Sequence, residues 1–131
     1  MKVLALDYGS ARTGVAVSDP TGTLARPLEV VENASTTAGL KRLAELVERE
    51  GVERIVVGLP VTLRGERGAQ AEETEAFVAA LRAVTEVPIE SFDERFTTKL
   101  AEAQRSEAPS DAVAAAHLLS TYLEWKSALP R

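Results

Sequence analysis

Lys2-Val-Leu-Ala-Leu-Asp7-Tyr-Gly-Ser-Ala-Arg-Thr-Gly14-Val-Ala-Val-Ser-Asp19 opens the chain with two apolar runs around a turn. An apolar run ends in a carboxylate, a glycine-containing turn follows, and a second apolar run comes straight back. That pattern predicts a buried strand, a tight turn and a returning strand, with Asp7 where the first strand stops. A carboxylate at the rim of a sheet core costs desolvation energy unless a cation, a donor or a substrate offsets it. Gly9 and Gly14 permit close backbone approach around the turn. Arg12 and Thr13 lie between them, so the loop reads either as a plain glycine hairpin or as a phosphate contact beside Asp7. Tyr8, in the same turn, either stacks on a base or covers the core.

The acids elsewhere follow the same theme. The chain has sixteen Glu but only four Asp, namely Asp7, Asp19, Asp93 and Asp111. Each Asp stands beside an expected strand end, turn or helix start, where a short side chain holds an ion close to the backbone with little freedom to lose. At 131 residues the chain reads as one domain spanning 1–131. No cysteine is present, which excludes a disulfide framework, a thiolate metal site and a cysteine nucleophile. No apolar run approaches a membrane span or a signal core, so a cytoplasmic protein is expected. The net charge of −5 argues against non-specific polyanion binding by the whole surface, although a site that loads divalent cations must itself be acidic.

Outward from the opening stretch, Asp19-Pro20-Thr21-Gly22 reads as a turn and Leu28 to Val31 as a third strand of a meander. Thr36 to Glu50 is predicted to be a helix, with Leu40, Leu43, Ala44 and Val47 on one face and Gly51 as its terminator. Glu53 to Leu59 is a buried strand stopped by Pro60. A second helix is expected from about Ala69 to Val84, with Phe77, Ala80, Leu81 and Val84 facing inward. Pro88 to Phe92 forms a short strand, a helix runs from Thr97 or Thr98 to about Arg105, and a last helix spans Asp111 to about Lys126. The class is therefore α/β. The expected sheet is mixed and five-stranded, an antiparallel meander followed by two parallel strands, with helices on its flanks.

Three acidic groups fall at element ends: Asp7, the Asp93-Glu94 pair, and Asp111. Carboxyl ends of parallel strands share one edge of a sheet, and sites form there. Converging carboxylates at that edge would bind magnesium or manganese, and two such ions clamp the attacking and leaving oxygens of phosphodiester hydrolysis. Taken singly, each acid has a plainer role: a turn cap for Asp7, an ion pair with Arg95 for Asp93, a helix start for Asp111. Arg64, Arg67, Arg95 and Lys99 would supply phosphate contacts around the acidic centre. His117, the one histidine, sits six residues beyond Asp111 and points away from it at about 100° per residue. Ser10 and Ser18 have no histidine in a nearby motif, so a nucleophilic triad has no support.

The segments Asp7-Tyr-Gly-Ser-Ala-Arg-Thr-Gly-Val-Ala-Val-Ser-Asp19, Gly58-Leu-Pro60, Asp93-Glu-Arg-Phe-Thr-Thr98 and Asp111-Ala-Val-Ala-Ala-Ala resemble the YqgF family of RuvX-like proteins. Members of that family are bacterial proteins described as Holliday-junction resolvases and as nucleases processing the precursor of 16S ribosomal RNA. The resemblance covers essentially the whole chain in the family's order. It implies a ribonuclease H-like fold and a Mg2+- or Mn2+-dependent nuclease site in which Asp7, Glu94 and Asp111 are the catalytic and metal-holding acids, with Asp93 as rival to Glu94. Tyr8, Arg12, Arg64 and Arg95 are then the substrate-binding candidates. The implied partner is nucleic acid, either pre-rRNA trimmed at its 5′ end during ribosome biogenesis or branched DNA. Ribosomal components are further partners, and the chain acts as a monomer or a homodimer.

Two departures from the family pattern weaken the nucleic-acid contacts. The segment before Asp111, Ala101-Glu-Ala-Gln-Arg-Ser-Glu-Ala-Pro-Ser110, is shorter and far less basic than usual. The loop after Pro60 reads Val61-Thr-Leu-Arg-Gly65 and lacks the usual Asn or Asp. A different class of reading is thus a non-catalytic binding or regulatory factor that keeps the nuclease fold. An actin-like kinase needs a second lobe that 131 residues cannot hold.

Overall fold

In a computed structural model of the protein, residues 1–59, 68–93 and 111–128 are described. Five strands, β1 (Val3–Asp7), β2 (Arg12–Ser18), β3 (Ala25–Glu32), β4 (Arg54–Leu59) and β5 (Ile89–Asp93), form one sheet in the order β3-β2-β1-β4-β5. The β1–β2 and β2–β3 pairs are antiparallel, and β1–β4 and β4–β5 are parallel. The mixed sheet expected from the sequence is therefore present. Three helices flank it: α1 (Thr37–Glu50), α2 (Ala69–Arg82) and α3 (Asp111–Ala128). The helix expected over 97–105 lies outside the described residues.

Strand alternation divides the apolar side chains between two cores. Leu4, Leu6, Val15, Val17, Ile55 and Val57 meet Leu43, Leu46 and Val47 of α1 and Phe77, Val78 and Leu81 of α2. Val3, Ala5, Ala16, Val56 and Phe92 meet Ala115, Leu118, Leu119, Tyr122 and Leu123 of α3 on the opposite face. α1 is held at both ends. Thr36 accepts a hydrogen bond from the Gly39 amide at 3.1 Å, and Gly51 closes the helix in the left-handed region at φ 64°.

Two boundaries differ from expectation. α2 stops at Arg82, so Val84 falls beyond it and is exposed rather than inward-facing. β3 is twice the expected length; its exposed and charged residues carry no alternation, and Pro27 and a register shift opposite Val15/Ala16 mask the strand pattern. Prolines and irregular register of this kind disfavour edge-to-edge strand pairing.

The far end of α3 is pinned by polar contacts. The Tyr122 hydroxyl donates to Glu90 Oε1 at 2.9 Å, and Arg54 donates to the same oxygen at 2.8 Å. Burial, and then the hydrogen bond to Glu90, push the Tyr122 hydroxyl above its ordinary pKa. At the near end, α3 begins where β1 finishes.

Candidate active site

The parallel pairing sets the working edge. β1 ends at Asp7, β4 at Leu59 and β5 at Asp93, with Leu59 and Asp93 in register. The antiparallel return brings the start of β2 to the same edge, where Asp7 is the register partner of Gly14. Paired residues on neighbouring antiparallel strands lie about 5 Å apart between Cα atoms. Alternation with Val3 and Ala5 turns Asp7 toward the α3 face, since both of those residues belong to the core beneath α3.

Gly14 explains how Asp111 arrives there. A methyl group at Gly14 would overlap the carbonyl oxygen of Asp111 and come within 2.8 Å of the Ala112 nitrogen. The first turn of α3 thus rests directly on the strand backbone beside Asp7, in space that only a missing side chain leaves open. The sequence marks Gly14 for close backbone approach, but the backbone that approaches is this protein's own helix. Gly9 has a local role: a methyl there would come within 2.5 Å of the Arg12 carbonyl oxygen, so the turn closes only over a glycine. Buried Thr13 spans the same turn through its hydroxyl, 3.4 Å from both the amide and the carbonyl of Gly9.

Arg12 opens β2 on the α3 face, and its Nε lies 3.4 Å from Oδ2 of Asp111. Both side chains are substantially exposed, at 66% and 41%. Tyr8 points to the other face. Its ring stacks on Phe77 of α2 with centroids 4.4 Å apart, so core cover already occupies one face of the ring. His117 is half-buried in the middle of α3.

Asp93, one of the two rivals near the end of β5, is placed by strand alternation. Phe92 is buried under α3, so the next residue, Asp93, is directed to the α2 side of the sheet, away from Asp7. Two strand spacings of about 4.8 Å separate Asp93 from β1. Glu94, Arg64 and Arg95 lie outside the described residues. Among the described residues no three acids or histidines gather closely enough to hold a metal ion. Asp7 and Asp111, two hard oxygen donors on one edge and one face, fit part of a magnesium or manganese site and suit no soft metal.

Asp19, the fourth aspartate, belongs to the opposite edge and to folding. Its Oδ1 accepts from the amides of Thr23 at 2.8 Å and Leu24 at 3.0 Å, and its Oδ2 accepts from the Thr21 hydroxyl. The Thr21 contact first, then those amides, lower its carboxyl from 3.8 to about 2.

This arrangement of strands and helices has known counterparts. Residues 1–125 match the RuvX family, described as Holliday junction resolvase. The chain belongs to that family. A relative from Rubrobacter xylanophilus, named "Putative pre-16S rRNA nuclease", is 47% identical over 131 residues, covering 94% of this chain and 92% of that protein. One of the same name from Chloroflexus aurantiacus is 39% identical over 137 residues, covering 98% and 90%. Among solved structures, Thermus thermophilus RuvC in complex with a Holliday junction substrate superposes with a TM-score of 0.66 at 19% identity, covering 98% of this chain and 96% of that one. The fowlpox virus Holliday junction resolvase follows at 0.54 and 12%, covering 95% and 99%. These likenesses establish the ribonuclease H-like fold. RuvX membership adds that the chain is one of a nuclease and resolvase family. Among the described residues, no helix is long and apolar enough to cross a membrane.

Proposed function

We propose that this RuvX-family chain is a metal-dependent endonuclease that cuts phosphodiesters in structured nucleic acid, with the 5′ end of the 16S rRNA precursor as its substrate. The observation that most supports the reading is the seating of the Asp111 backbone on Gly14, the register partner of Asp7. Residues 104 positions apart (111 minus 7) thereby put two carboxylates on one edge and one face. Two carboxylates at a sheet rim repel unless cations offset them, as Arg12 does for Asp111 here. Loading a cation gives the pairing a purpose.

Asp7, Asp111 and Glu94 hold magnesium or manganese in this reading. Glu94 is preferred to Asp93 because Asp93 is turned to the α2 side of the sheet, away from Asp7. The ion, when bound, supplies Lewis-acid stabilisation of charge on the phosphate. Asp7 sits on a rigid strand end and Asp111 on a helix seated against that strand, so both are positioned before substrate arrives. Arg12, Arg64 and Arg95 contact phosphates flanking the cut. The names of the two relatives favour the rRNA precursor. The family description keeps a four-way DNA junction as the competing substrate.

The second reading, a binding factor without catalysis, is favoured by residues 101–110, where a single Arg stands with two Glu. Incubating the protein with 16S precursor RNA and with a four-way DNA junction, in manganese and in EDTA, separates the two. Cleavage of the RNA in manganese alone, lost in Asp7→Asn, is expected. Binding without cleavage under any divalent ion gives the factor reading instead.

A further inference from the structure

We propose that Arg12 is an exchangeable counterion: it neutralises Asp111 in the metal-free protein and is released to a substrate phosphate when a divalent ion takes that carboxylate. The inference rests on the nuclease reading above and assigns Arg12 a second, metal-controlled role within it. The guanidinium Nε stands 3.4 Å from Asp111 Oδ2, with 66% of the Arg12 side chain and 41% of the Asp111 side chain exposed. An exposed pair of this kind is weakly held, so a divalent ion competes with it readily. The carboxylate itself stays in place, because Gly14 seats the backbone of residue 111 and the α3 N-terminus favours an anion there. Arg12 is the first residue of β2, and its side chain reaches Asp111 from the exposed edge. Glu32, its register partner on β3, is the other acid on its flank.

The consequence is linkage. Metal and nucleic acid are bound cooperatively, because the ion releases the cation that the phosphate then uses. Without such exchange Arg12 would merely repel the ion and attract phosphate, as any nearby positive charge does.

A double-mutant cycle tells the two apart. Affinity for a fluorescein-labelled four-way DNA junction is measured in EDTA for wild type, Asp111→Asn, Arg12→Ala and the double variant, each checked for an unchanged melting temperature. Asp111→Asn removes a negative charge in either background, but it frees a cation only where Arg12 is present. The gain in affinity is therefore expected to be about two- to five-fold larger with Arg12 in place than in the Arg12→Ala background, the range an exposed ion pair spans. Equal gains, or no junction binding in EDTA by any variant, overturn the exchange and leave the nuclease reading standing. Manganese titration followed by calorimetry supplies the second readout. Arg12→Ala is expected to tighten the ion by a similar factor, and an unchanged affinity overturns the exchange. No manganese binding by the wild type removes the metal site and the exchange together, so the two failures are distinguishable.

Discussion

Substituting Gly14 by Ala sets two well-known effects against each other. Gly14 has no positive φ, so its backbone accepts an alanine, and Gly→Ala inside a strand ordinarily stabilises by about 0.5–1 kcal/mol through the unfolded chain. Here the new methyl would overlap the Asp111 carbonyl oxygen and press to 2.8 Å from the Ala112 nitrogen, both backbone atoms that no rotamer change can move aside. The helix start must retreat instead. Overpacking of this kind costs about 1–3 kcal/mol, larger than the entropic gain. For a domain of this size we expect a net fall of about 3–10 °C in melting temperature. A retreat of about 1 Å carries Asp111 with it, and misplacement on that scale costs on the order of a hundred-fold in rate. The assay is thermal unfolding by circular dichroism, paired with cleavage well below the transition, where the variant is still folded. A melting temperature raised above wild type with unimpaired cleavage would refute the seating of α3 on β2 as the device that positions Asp111.

Two predictions concern the fold that carries the site. Asn33 holds φ 49°, where most side chains are strained, and its amide donates to the Ala11 carbonyl at 2.9 Å, tying β3 to the turn after β1. Asn33→Ala should therefore lose about 1 kcal/mol and Asn33→Gly much less, read by urea denaturation; equal midpoints for wild type and Asn33→Ala would contradict this. Asp19 has a folded pKa below its unfolded one, so its contribution is fully present above 3.8 and disappears as pH falls through about 2. Melting temperatures taken across that window should fall less steeply for Asp19→Asn than for wild type, and parallel curves would show that the turn contributes no pH dependence.

Much of the frame is legible in the sequence because it is written in periodicity. The run from Val3 to Asp7, the glycine turn and the returning strand are all found, and the i, i+3, i+4 spacing locates α1 and most of α2. β3 is found over Leu28–Val31, but its first half escapes because an exposed edge strand with a proline need not alternate. α3 is located in the sequence as well, and its buried residues Ala112, Ala115, Leu119, Tyr122 and Leu123 follow helical spacing, although Asp111 and Lys126 interrupt the apolar side. The site is legible as types of residue at element ends and illegible as contacts. Register decides that Asp7 faces α3 and Asp93 does not, and no local pattern carries register. The Arg12–Asp111 pair joins residues with 98 positions between them (111 minus 12, less one), beyond the reach of any spacing rule. Gly14 shows the same gap from the other side: the sequence reveals that something comes close, and only the tertiary structure reveals what.

Three isosteric variants decide whether Asp7 and Asp111 form one working site from which Asp93 is turned away. Manganese-dependent cleavage of the 16S rRNA precursor is measured for Asp7→Asn, Asp111→Asn and Asp93→Asn beside wild type. Loss of a metal-holding carboxylate removes several kcal/mol of transition-state stabilisation, so Asp7→Asn and Asp111→Asn should each fall by at least about a hundred-fold. Asp93→Asn should stay within about three-fold of wild type, a difference of under 1 kcal/mol. An inactive Asp93→Asn beside an active Asp111→Asn would place the site on Asp93 instead.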